Sequence, residues 1–212
     1  MSDIPSAKLQ TEQIADLMEV GNIGAGNAAS ALSDLIHRRC VIDIPQITYV
    51  AAEDMARIID MEDSYVVMMH IKIMGDIPAT MFVLMKRAFA QTVVKYMTKE
   101  GLDPSGKDLG FTAQFALKQL GEILTKSFFD SIHQLLMAKA KYAMPEIIMD
   151  AWSAAQESML SRFAQDGEHL LIHSAFFDPE KTFTGKFIYA LSRESQVVVL
   201  NRIKLLLAPR KK

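Results

Sequence analysis

The pentapeptide Glu19-Val20-Gly21-Asn22-Ile23 has a counterpart, Gln119-Leu120-Gly121-Glu122-Ile123, 100 positions later, and Pro45 stands 100 positions before Pro145. Two separate markers at one offset read as an internal repeat, which limits the fold to something built twice. Further on, Met81-Phe82-Val83-Leu84-Met85-Lys86-Arg87 lies over Phe187-Ile188-Tyr189-Ala190-Leu191-Ser192-Arg193, six residues further out of phase. One surface-loop insertion produces such a slip at little thermodynamic cost. The expectation is a single domain over 1–212 made of two homologous halves, about 11–100 and 111–207.

Periodicity fills in the elements. Ile14, Leu17, Met18, Ala25, Ala28, Ala29, Leu32, Leu35 and Ile36 recur at helical spacing, so Thr11 to His37 reads as a long helix. Its interior holds Gly21, Gly24 and Gly26, each costing about 1 kcal/mol against alanine. Close packing against a small-residue face compensates such a cost. Gly21, Ala25, Ala28 and Ala29 form a low ridge, and with Gly121 at the equivalent place the two long helices are expected to pack through it.

Cys40 to Val50 alternates around Pro45; Tyr65 to Ile73 and Ala79 to Met85 read as strands flanking Gly75-Asp76-Ile77-Pro78; Ala88 to Met97 reads as a helix and Gly101 to Gly110 as a loop. The order then repeats: helix Phe111 to Leu136, strand Tyr142 to Met149, a short helix or helical turn within Ser153 to Phe163, strands His169 to Phe177 and Thr184 to Leu191, helix Glu194 to Leu207. The fold class is α+β, with two pseudo-symmetric halves and an antiparallel or mixed sheet carrying two long helices on one face.

Composition removes several function classes. With 212 residues, 50% hydrophobic and 23% charged, the chain can bury a full core without disulfides or metals. Its 23 basic and 25 acidic residues leave a net charge of −2, so no broad cationic face for nucleic acid is implied. Arg210, Lys211 and Lys212 read as a solvated end. Cys40 is the only cysteine, which excludes an intramolecular disulfide and a CxxC knuckle. It reads as a half-buried strand residue despite its neighbours Arg38 and Arg39. No secretory signal and no stretch of ~20 apolar residues is present, which points to a cytoplasmic protein without membrane insertion.

Candidate chemistry is sparse. Glu19 and Asn22 lie three apart on one helical face, a carboxylate and a carboxamide able to grip a cation and hold a water. Gly21-Asn22-Ile23-Gly24-Ala25-Gly26 is neither GxGxxG nor GxxxxGK[ST], and no strand precedes it, so nucleotide binding is rejected. His169 and His173 have a helical metal-ligand spacing but lie in a strand pattern; with His37, His70 and His133 they read as ordinary histidines and no metal is assigned. There is no GxSxG and no cysteine–histidine nucleophile. The 14 methionines, among them Met68, Met69, Met74, Met81 and Met85, read as core filler.

The string Glu-Val-Gly-Asn-Ile-Gly-Ala-Gly-Asn-Ala-Ala, Glu19 to Ala29, with 22 intervening residues between Asn22 and Pro45, resembles the signature of the CheC/CheX/FliY phosphatases of bacterial and archaeal chemotaxis, and the two-half layout resembles the CheC type. The resemblance implies a two-helix face over a sheet that acts on the phospho-aspartate of a CheY-like response regulator. It makes Asn22 the residue that orients the attacking water and Glu19 the residue that pairs with a lysine of the partner. Mg²⁺ would then belong to the response regulator, with no cofactor of the chain's own. Gly21, Pro45, Gly121 and Pro145 are the structural part of the motif.

Two positions depart from the pattern. Ala15 stands where the family often has Asp or Ser, and Asp16 beside it points about 100° away round the helix. Gln119 and Glu122 replace Glu and Asn in the second half, so that site is expected to be degenerate, its carboxylate facing and repelling a phosphoryl group. The alternative reading is a non-catalytic adaptor that binds a receiver domain, a CheD-like protein or a flagellar switch component through the same helices.

Overall fold

In the computed structural model, which describes residues 11–51, 54–59, 61, 65–99, 109–163, 168–180 and 184–207, the expected order of helices and strands is present. The chain runs α1 (Thr11–Ile36), β1 (Val41–Ile42), β2 (Gln46–Ala51), α2 (Met55–Ile58), β3 (Tyr65–Gly75), β4 (Ala79–Lys86), α3 (Arg87–Thr98), α4 (Phe111–Leu135), β5 (Ala140–Tyr142), β6 (Glu146–Ala151), α5 (Trp152–Leu160), β7 (Glu168–Phe177), β8 (Thr184–Leu191) and α6 (Arg193–Leu207). Most of the loop expected over Gly101–Gly110, and the basic end Arg210 to Lys212, lie outside the described residues.

The strands form one eight-stranded sheet in the order β1-β7-β8-β4-β3-β5, with β2 continuing beside β7 and β6 beside β3. Every pairing is antiparallel. Proline has no N–H to give a ladder, and each edge run breaks at one. Pro45 separates β1 from β2 and Pro145 separates β5 from β6. The breaks are bridged alike: Asp43 N–H donates to Ala175 C=O at 2.9 Å, and Ala143 N–H to Lys72 C=O at 2.9 Å. The edge strand β2 therefore completes the β7–β8 hairpin, and β6 completes β3–β4.

Both faces of the central strands are covered, so β3 and β4 read as continuous apolar runs. Val67, Met69, Ile71, Met81, Val83 and Met85 point into a core shared with α1, α3, α4 and α6. Val66, Met68, Phe82 and Leu84 point the other way, onto Trp152, Ala155 and Met159 of α5 and Met55 of α2. Of the five methionines singled out, four are buried and Met74 is 42% exposed.

The two long helices end alike. His37 (φ 51°) and Met137 (φ 49°) adopt the left-handed conformation just past α1 and α4. Arg38 N–H then returns to Ser33 C=O at 3.2 Å and Ala138 N–H to His133 C=O at 2.7 Å, which satisfies late carbonyls of each helix. Arg202 of α6 adds to the end of α4, donating to the carbonyls of Leu136 and Met137 and to Asp76 in the β3–β4 turn.

The helix glycines do different work from the ridge expected of them. A Cβ on Gly21 would lie 3.4 Å from Pro45 and 3.6 Å from Ile172; one on Gly121 would lie 2.9 Å from Pro145 and 3.1 Å from Met69. These two glycines seat their helices on the strand prolines, not on each other. The close helix–helix approach runs through Gly24, whose Cβ would meet the Phe128 carbonyl oxygen at 2.6 Å. Gly26 faces open space.

Candidate functional site

On α1, Val20, Gly21, Gly24 and Ala25 face inward, which turns Glu19, Asn22 and Ile23 out. Ile23 is 44% exposed. Among the described residues, neither Glu19 nor Asn22 makes a hydrogen bond or ion pair within the molecule. A carboxylate and a carboxamide thus stand side by side on a helix fixed from beneath, their bonding capacity directed outward. Ala15, one turn before Glu19, is exposed and adds no polar group.

On α4 the counterpart face is occupied. Lys126 Nζ donates to Glu122 Oε1 at 2.6 Å, an i,i+4 pair that also raises the affinity of Lys126 for its proton. The bare carboxylate expected at Glu122 is therefore a paired one. Gln119 lies beside it, half-buried, and the helix begins with two outward aromatics, Phe111 at 87% and Phe115 at 57% exposure. The four-residue spacing of Glu122 and Lys126 was the signal for this pair in the sequence.

Where the two helices meet, Asn27 and Ser30 of α1 and Lys126, Ser127 and Asp130 of α4 line an open groove of about 390 Å³. Asp130 is backed by a relay: His133 Nδ1 lies 3.0 Å from the Tyr142 hydroxyl, which donates to Asp130 Oδ1 at 2.9 Å. With the hydroxyl proton committed to Asp130, His133 is the donor in the first link. Burial holds His133 below the usual histidine range and pushes the Tyr142 phenol well above its own. This arrangement ties α4 to β5; periodicity alone gives no sign of it.

The remaining candidates are placed as structural groups. Cys40 is buried, its N–H donates to Ser33 Oγ at 2.8 Å, and burial outweighs Arg38 to push the thiol up to about 11. His169 and His173 share a face of β7, about 13 Å apart along the strand, and His173 lies 3.4 Å from Thr48 Oγ1. His70 Nδ1 is 3.2 Å from Arg162 Nε, and since arginine only donates, that nitrogen is the acceptor. Glu146, 3.3 Å from the same nitrogen, takes its proton from Arg162 Nη2 instead. Among the described residues no group of three or more His, Cys, Asp or Glu is placed to hold a metal ion, and no helix is long and apolar enough to cross a membrane.

Known proteins match this chain at the same places. The sequence pattern of the CheC-like family matches residues 13–49, the span from α1 to β2 that carries Glu19, Asn22 and Pro45. The CheY-P phosphatase CheC of Bacillus subtilis (strain 168) is 28% identical over 173 residues, 80% of this chain and 82% of that protein. In sequence the chain is similar to CheC-like proteins. The fold matches FliY of Thermotoga maritima with a TM-score of 0.71 at 14% identity, covering 94% of this chain and 100% of that one. A chain of the FliM–SpeE complex from H. pylori follows, with a TM-score of 0.70 at 8% identity, covering 95% and 100%. The family pattern thus falls on α1 to β2, the CheC relative aligns over 80% of the chain, and the likeness in fold extends over 94% and 95% of it.

Proposed function

We propose that this CheC-like protein accelerates hydrolysis of the phospho-aspartate of a CheY-like response regulator in chemotaxis-type signalling, through the α1 face. The observation that carries the reading is the pair Glu19 and Asn22, outward and without partners of their own, on a helix that Gly21 seats on Pro45. The B. subtilis relative, whose name states that chemistry, supports it.

In this reading Glu19 pairs with a lysine of the docked receiver, which fixes register. The Asn22 carboxamide, at once donor and acceptor, holds a water in line with the phosphoryl group. Water attacks phosphorus, the P–O bond to aspartate breaks, and the aspartate leaves as a carboxylate with release of inorganic phosphate. Mg²⁺ sits in the receiver's own site, and this chain supplies positioning alone. The α4 face carries its carboxamide, Gln119, at the position equivalent to Glu19 and a paired carboxylate, Glu122, at the one equivalent to Asn22, and stays silent.

The test is to phosphorylate a panel of receiver domains from the same organism with a small phosphodonor and follow loss of the phospho-aspartate. Asn22→Ala is expected to lower the maximal rate at least ~tenfold with binding retained, and Glu19→Ala to weaken binding as well. Binding without acceleration on any receiver overturns the enzyme in favour of an adaptor for a receiver, a CheD-like protein or a flagellar switch component. Full activity in Asn22→Ala overturns the residue assignment.

A further inference from the structure

Four glycines lie inside the two long helices, and three of them admit a neighbour. Gly21 takes Pro45, Gly24 takes the backbone carbonyl of Phe128, and Gly121 takes Pro145 and Met69. Gly26 takes nothing: among the described residues no atom beyond its chain neighbours and its own helix's backbone lies within 4 Å of where its Cβ would stand. A glycine in an exposed helix interior costs about 1 kcal/mol against alanine, and here no packing within the molecule offsets it. Gly26 stands one turn beyond Asn22 and two beyond Glu19, on the same outward face.

The position at the repeat offset is Lys126, whose side chain rises from α4 and closes on Glu122. One helix thus keeps a bare stretch of backbone beside its unpaired polar residues, and the other fills the same place with a long cation already satisfied. Where a side chain is missing, another backbone can come close, as Phe128 does at Gly24.

We infer that Gly26 is a docking position, where the backbone of the phosphorylated receiver rests on α1 beside Asn22, and that position 26/126 decides which of the two faces receives the partner. The inference rests on the phosphatase reading and adds to it a residue that acts by shape. Gly26 is a positioning residue; it donates nothing to the reaction. A methyl group here weakens docking of the partner on α1, and a lysine holds it off altogether.

The test uses the full chain and a receiver that the wild type dephosphorylates. Because a Cβ meets open space, Gly26→Ala is expected to fold and to melt at the wild-type temperature or above. Its KM is expected to rise about tenfold with kcat within about twofold of wild type. Gly26→Lys is expected to lose measurable binding to the receiver carrying beryllofluoride on its aspartate. Wild-type KM and binding in Gly26→Ala and Gly26→Lys, with Asn22→Ala still slow, overturn this inference and leave the phosphatase reading standing. Failure of the wild type to bind or turn over any receiver overturns both.

Discussion

At the scale of single residues, glycine separates packing from function in this molecule. A methyl group on Gly24 would stand 2.6 Å from the Phe128 carbonyl oxygen, and one on Gly121 2.9 Å from Pro145. Gly24→Ala and Gly121→Ala are expected to destabilise the fold by about 1–3 kcal/mol each, since neither a helix backbone nor a proline ring can yield. Gly21→Ala, with its nearest contacts at 3.4 Å, is expected to stay within about 1 kcal/mol of wild type. Urea unfolding of the three variants checks the order; equal losses at all three positions would refute the geometry. The outward pair Glu19 and Asn22 was legible from a helical spacing of three. That Gly21 meets a proline and Gly24 meets a helix was not, because spacing along one helix does not say what lies on either side.

At the scale of elements, local patterns placed most helices and strands, and the failures have physical causes. The single turn α2 is too short to show a helical period. The run from Cys40 to Val50 reads as one strand, since alternation continues across Pro45 although its ladder does not. Joints between elements were the least legible part, because they need partners from distant sequence. The joint of α4 to β5, where His133 donates to Tyr142 and Tyr142 to Asp130, carries a prediction. Burial holds His133 neutral, with its affinity for a proton below that of the unfolded chain, and His70 and His173 are shifted the same way. The unfolded state then binds more protons on acidification, so stability is full above about pH 6.5 and falls as pH drops below it. Urea midpoints are expected to decrease between pH 7.5 and 5.5, above the range of the carboxylates. His133→Asn, which keeps a donor and removes the titration, is expected to shrink that decrease; an unchanged pH slope would rule out His133 as a source.

At the scale of the whole molecule, the two stretches of the repeat are laced together. Strand β2 pairs with β7 and β6 with β3, so each stretch lends an edge strand to the other's hairpin. A polypeptide of residues 1–108 leaves β2 without a ladder and half of the shared core open. It is expected to show no cooperative melting alone, nor is 109–212, while the two mixed together recover the circular dichroism of the intact chain. A sharp thermal transition in either piece alone would show that the lacing is dispensable. The helical periods and the 100-residue offset were visible along the chain, whereas this exchange of strands was not, since register between segments 76 to 127 residues apart is settled by tertiary packing. The prolines have one more effect at this scale. An uninterrupted outer strand on an open sheet is a template on which further molecules can add, and this sheet has two open edges. Pro45 and Pro145 cut both edges into pieces of two to six residues, leaving too little straight ladder for a second copy to zip onto. The residues that seat the helices thus also guard the molecule against growing into fibres.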